Sequence, residues 1–227
     1  GWPGTLTPRW FAELSRGTSL FEGLKLDARV DAGRLGPRAD ESSLRLAPPT
    51  GAWTFARGLH AIGVALRLHG RESRAPFAVH HQPHDVRALA LGEAFAQLTT
   101  TTAFHSRARG LAQSKADLAA RRLGTTRLLE RRNLALRVVL GPQLRRGRRR
   151  FIEAFAETAG DALGGETPKE LASLLGGPGV LGPAEDAARV RSFATGDALG
   201  LELRERFDVD WWRNPKAAAW IRERCAR

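Results

Sequence analysis

Apolar residues recur along most of this chain at three- and four-residue steps, which predicts a mainly helical protein. The pattern is clearest at Leu59, Ile62, Leu66 and His69, the stripe of a helix over about Trp53 to Leu68, stopped by His69-Gly70. Thr7-Pro8 starts an earlier helix, Thr as the cap and Pro at the first helical position, with Trp10, Phe11 and Leu14 as its apolar face. Leu20, Phe21 and Leu24 mark a second short amphipathic piece. Gly, Pro and charge crowd Asp31 to Asp40, a loop. Ser43-Leu44-Arg45-Leu46-Ala47 alternates polar and apolar, which predicts a short strand ahead of Pro48-Pro49.

Arg71 to Asp85 reads as a loop carrying Pro76, Pro83 and three His. Helical periodicity resumes from Val86 to Thr99 through Leu89, Phe95 and Leu98, and the Thr99–Thr102 run ends it because β-branched residues are weak helix formers. Leu111 to Leu140 is one long helix, or two broken at Gly124. A basic run then leads into a helix bearing Phe151, Ile152 and Phe155. Thr167-Pro168-Lys169-Glu170 is a capping box opening a short helix to Leu175. Gly176 to Pro183 is a turn-rich connection. The next helix runs from about Ala184 to Phe207, with Val190, Phe193, Leu199, Leu203 and Phe207 facing inward. Trp211 and Trp212 are core anchors, and Asn214-Pro215 caps a last helix with Trp220 and Ile221. The expected architecture is a single α-helical domain over 1–227 with at most a short β hairpin or strand. No run of about eighteen apolar residues occurs, so no membrane span is expected.

Composition changes this picture in two ways. The 36 basic residues outnumber the 24 acidic ones, a net charge of +12, and only four of the 36 are Lys. Such a surplus favours acidic partners, nucleic acid among them, although surface charge bears on solubility equally. The densest basic run is Arg145, Arg146, Arg148, Arg149 and Arg150, the best anion-binding candidates; without interleaved aromatics they would contact phosphates rather than stack on bases. One cysteine, Cys225, excludes an internal disulfide framework and fits a reducing, cytoplasmic compartment. It stands near a terminus expected to fray, with no His partner in sequence that would make it a nucleophile. The N-terminus has neither a signal-peptide pattern nor an initiator Met, as a processed product would.

The stripe helix also carries a fragment of chemistry. Zinc proteases place two His at i and i+4 on one helix, with a Glu after the first as general base. His60 occupies the first position here, but Ala61 stands where the base belongs and Val64 where the second ligand belongs. The chain has no Tyr, which removes a common donor to a tetrahedral oxyanion. His60 and His69 lie about 13 Å apart along a helix axis, too far to share one metal.

Three segments in order resemble the C-terminal, catalytic half of the thimet-oligopeptidase and oligoendopeptidase-F-like zinc peptidases. Leu44-Arg45-Leu46-Ala47-Pro48 with Leu59 to Leu66 resembles the strand and the HExxH helix. Ala75-Pro76-Phe77 with Leu91-Gly92-Glu93-Ala94-Phe95-Ala96 is similar to the loop and helix that deliver the third ligand. Leu203 to Pro215 resembles the terminal helix pair of bacterial members. The resemblance implies a zincin-like, oligopeptidase-type catalytic-half fold, so 1–227 would be one half of a larger bilobed assembly. It puts the third ligand near Glu93 or, with Gly-x-Ala-Phe kept in step, at Leu91. It also implies a transition-state Tyr around Arg189 to Phe193, where there is none.

The expectation is therefore a degenerate zinc peptidase that binds no metal or cofactor and catalyses nothing. His60, Ala61, Val64 and Glu93 would be the remnant of its site. It would act as a binding or scaffold subunit for a protein or peptide partner, such as a chain resembling the family's N-terminal half. One alternative is a zinc-dependent hydrolase with a site rebuilt from His60, the loop histidine His84 and Glu93, since imidazole suits zinc. Another is an Arg-rich nucleic-acid-binding protein.

Overall fold

The computed structural model describes residues 25–27, 43–45, 51–70, 85–144, 147–167 and 183–226. Seven α-helices are described: α1 (Ala52–His69), α2 (Val86–Gln97), α3 (Thr102–Arg107), α4 (Gln113–Leu144), α5 (Arg148–Leu163), α6 (Pro183–Phe207) and α7 (Pro215–Ala226). Two three-residue strands, β1 (Lys25–Asp27) and β2 (Ser43–Arg45), pair in parallel, with Leu26 opposite Leu44. The strand expected at Ser43 is therefore present, but it pairs in parallel and is not one arm of a hairpin. The protein is mainly helical, and no described helix is long and apolar enough to cross a membrane.

The element at the centre is α2. Ala88 and every residue from Ala90 to Ala96 are buried, because α1 lies on one flank and α6 on another. Its sequence, Val-Arg-Ala-Leu-Ala-Leu-Gly-Glu-Ala-Phe-Ala-Gln, is small on several faces at once, and this permits close approach by two neighbours. A Cβ on Gly63 of α1 would stand 2.7 Å from the Leu91 carbonyl oxygen, and one on Gly92 would stand 2.7 Å from that of His60. A Cβ on Gly196 of α6 would meet the Ala90 carbonyl at 2.8 Å. Glycine costs about 1 kcal/mol against alanine in a helix interior, so these positions trade propensity for contact.

Both ends of α2 are closed by side chains. Asp85 caps the start, its Oδ1 accepting from the Arg87 amide at 2.8 Å and the Ala88 amide at 3.3 Å. At the other end the hydroxyls of Thr99, Thr100 and Thr101 each donate to the carbonyl three residues back, at 2.7 to 2.8 Å. Low helix propensity alone would only fray this end. The hydroxyls instead tighten it into a 3-10 turn, Leu98–Thr100, before Thr101 caps α3.

The main core lies where α1, α2, α3, α6 and α7 meet. Phe55, Leu59 and Ile62 pack with Leu91, Phe95, Phe104, Leu203, Trp211, Trp212 and Ile221. Trp211 meets Phe95 edge-on at 5.1 Å between ring centroids, and Trp212 meets Phe104 at 5.4 Å, so both tryptophans are core anchors, as expected. The turn that delivers them uses Asp208 at φ 76°, a left-handed conformation Asp tolerates because its carboxylate accepts locally from the Val209 amide. A smaller cluster of Leu140, Phe155 and Ala159 fastens α5 to α4.

Of the two expectations for residues 111–140, one helix or two, the single helix holds, since α4 runs unbroken through Gly124. Other details differ from expectation. His69, the last member of the α1 stripe, stays exposed at the helix end while Leu59, Ile62 and Leu66 are buried. Cys225 is not at a frayed end. It is buried in α7 close to Gly70, and burial pushes its thiol up to about 11 despite the Arg67 guanidinium nearby. The expected helices before Leu24 and after Pro168 lie outside the described residues.

Candidate functional site

Position 93 faces away from the main core, toward α4, and it carries a carboxylate. Glu93 is only 1% exposed, so its charge must be met by the protein. His60 of α1 brings Nε2 to 3.4 Å from Glu93 Oε1, a long contact that is not a well-formed hydrogen bond. The other oxygen, Oε2, accepts from Arg127, itself buried, and from Arg131 at 3.3 Å, both on α4. Arg131 reaches on to Asp197 of α6 at 2.8 and 2.9 Å, and Gln97 of α2 donates to the same carboxylate. Arg127 also faces Glu130 at 3.8 Å, and Glu130 accepts from Arg189 of α6 at 3.0 Å. One polar network thus ties α1, α2, α4 and α6 through a single buried acid.

The electrostatics follow from this geometry. Burial pushes the Glu93 carboxyl upward. The contact with His60 and the positive charges of Arg127 and Arg131 more than reverse that, leaving it ionised down to about 2. A second buried pair, Arg137 with Asp186 at 2.8 Å, repeats the α4–α6 link, but there burial outweighs Arg137 and Arg189 and holds the Asp186 carboxyl above its usual range. His105 is a further buried polar residue. Its Nε2 stands 2.7 Å from the Thr99 carbonyl and its Nδ1 accepts from Arg109 at 3.0 Å, an arrangement that fits the neutral imidazole.

His60 and Glu93 come together. Val64 stands beside them, since a Cβ on Gly92 would lie 2.9 Å from Val64 Cγ2 and 3.0 Å from His60 Cδ2, so positions 60 and 64 both face α2. Ala61 is turned toward the main core. Leu91, the other placement for a third ligand, is a core residue packed with Phe95. His84 lies outside the described residues, as do Arg145 and Arg146 and the side chain of Arg148. Arg149 is 92% exposed and bonds Glu153 at 2.9 Å, one turn away, and Arg150 is exposed.

The donor set at Glu93 does not suit a dication. No group of three or more potential ligands gathers among the described residues. The Glu93 carboxylate is already held by two guanidiniums, whose charge would oppose a metal ion there.

The inward arginines of α4 are not among the residues the sequence singles out, yet Ala116, Ala120, Leu123, Arg127, Leu134 and Arg137 are buried along one side of it. The signal was the three-and-four spacing of Ala116, Ala120, Leu123 and Leu134, which passes through Arg127 and Arg131 without a change of face. No family model matches this chain, and no curated protein or solved structure matches it either.

Proposed function

We propose that this chain is a peptidase-like helical domain without hydrolytic chemistry, acting as a binding or scaffold subunit for a protein or peptide. One observation carries the reading. Positions 60 and 64, the i and i+4 positions of the zinc-protease spacing, both flank Gly92, and the next residue along α2 brings its carboxylate to His60. That is the neighbourhood a helix-borne zinc site with a third carboxylate ligand requires. Here Ala61 offers no base and Val64 no ligand, and Arg127 and Arg131 supply the positive charge that a metal would bring. Retaining Glu93 is then a matter of stability, since a buried carboxylate stripped of its partner is costly.

Protein purified without chelators, assayed for metal by inductively coupled plasma spectrometry and for cleavage of a quenched peptide library, tests this. Substoichiometric zinc, no chelator-sensitive cleavage and a melting temperature unchanged by chelator are expected. Stoichiometric zinc with cleavage abolished by chelation would overturn the reading.

A further inference from the structure

The outer side of α4 is the molecule's most unusual surface. At 100° per residue, Leu118, Arg121, Arg122, Thr125, Leu128, Leu129, Arg132 and Lys115 fall within an arc of about 140°. The buried Arg127 and Leu134 lie on the opposite side. Leu118 is 50% exposed, Leu128 49% and Leu129 40%, and Arg121, Arg122, Arg132 and Lys115 are exposed among them. Further along the same arc Val139 is 73% exposed. The two acids of this helix point elsewhere: Asp117 bonds Thr102 at 2.6 Å, and Glu130 accepts from Arg189. Among the described residues no acid pairs with the four outer cations, and Arg132 reaches only the Ala162 carbonyl at 3.4 Å.

We propose that this face docks an acidic amphipathic helix of a partner protein. The inference rests on the binding-domain reading above and supplies its surface and the chemistry of its partner. Leu118 and Leu129 are eleven residues apart, three helical turns, and Leu128 and Val139 repeat that interval, so the apolar positions form two rows parallel to the axis, about 80° apart, with Arg121 and Arg132 among them. From Leu118 to Leu129 this face extends about 16 Å, and to Val139 about 31 Å, the length of a helix of roughly 12 to 22 residues. Leucines spaced at three and four on the partner would lie against these, and Glu and Asp interspersed among them would meet Arg121, Arg122 and Arg132. Nucleic acid fits less well, because phosphates gain nothing from leucines and the stripe has no aromatic on which bases stack. A membrane surface fits less well because cations and leucines share one face, whereas an interfacial helix separates them. A single helix covers a small area, so a dissociation constant on the order of micromolar is expected.

The test uses the full chain and a fluorescein-labelled helical peptide of about 20 residues, with Leu at alternating three- and four-residue steps and Glu interspersed among them. A control of the same composition redistributes the residues so that no apolar stripe forms. Anisotropy should show binding of the first peptide only. Affinity should fall with salt, and it should drop at least tenfold in Leu118→Gln/Leu129→Gln and in Arg121→Gln/Arg122→Gln, with circular-dichroism melting unchanged. Equal binding of the control peptide, or of the variants, would reduce the effect to general cation attraction and overturn the proposal. So would binding of a DNA duplex or of phosphatidylserine vesicles, lost in the same variants, without peptide binding. Self-association lost in the leucine variants would assign the face to a second copy of this chain instead. Because the metal and cleavage assays are separate, failure here leaves the binding-domain reading standing, and zinc-dependent cleavage would remove that reading whatever the peptide does.

Discussion

At the scale of single residues, Glu93 decides most. Its folded-state carboxyl titrates near 2, well below the ordinary 4.5, because His60, Arg127 and Arg131 together overcome its burial. A carboxyl lowered on folding contributes stability above its unfolded value and loses it as pH falls toward the folded one. The loss should therefore develop between about pH 4.5 and about pH 2 and amount to roughly 3 kcal/mol. Asp186, raised on folding, acts in the opposite sense over its own range. In Glu93→Gln the acid limb of the stability curve, followed by urea unfolding at stepped pH, should flatten. Stability at neutral pH should also fall by about 3 kcal/mol, because Arg127 is left buried without its countercharge. An acid limb as steep as the parent's would show that another group governs it. Glu93 and His60 could both be picked out from the sequence, but their shared environment could not. Nothing local to either residue signals that Arg127 and Arg131, more than thirty positions on from Glu93, turn inward.

At the scale of elements, the molecule depends on how closely α1 and α6 approach α2. Gly63→Ala should raise helix propensity and still destabilise the protein, because the new Cβ meets backbone atoms that no rotamer change can move. A cost of about 1 to 3 kcal/mol is expected from such overpacking. Denaturant unfolding of Gly63→Ala beside Gly124→Ala makes the comparison, since a Cβ at Gly124 meets nothing within 4 Å and that variant should be neutral or stabilised. A stabilised Gly63→Ala would mean that the crossing is looser than described. Helix existence was legible here from periodicity, and so were the caps at Pro215 and the stop after Leu68. The crossing was not legible, since a glycine in a helical pattern has the same appearance whether a neighbour touches it, as at Gly63, or nothing does, as at Gly124.

At the scale of the whole molecule, two unequal cores imply unequal local stability. α2 is buried on several sides within the large aromatic core, whereas α5 is fastened to α4 by Leu140, Phe155 and Ala159. Native-state hydrogen exchange should find α5 amides opening at least tenfold more readily than those of α2, since opening α5 exposes far less apolar surface. Equal protection would mean that the two clusters unfold as one. By itself the sequence determined the helical class, the sites of most helices and the burial of Trp211 and Trp212, and it put Ala61 and Val64 at the spacing where a zinc-protease helix carries its base and second ligand. These are local matters, set by apolar spacing, capping chemistry and residue identity. Only the tertiary structure decided that α4 turns arginines inward and leucines outward, and that Glu93 is held by guanidinium groups. The periodicity of one helix gives its faces but not which of them meets a neighbour, and the cost of burying a charge depends on partners distant in the chain.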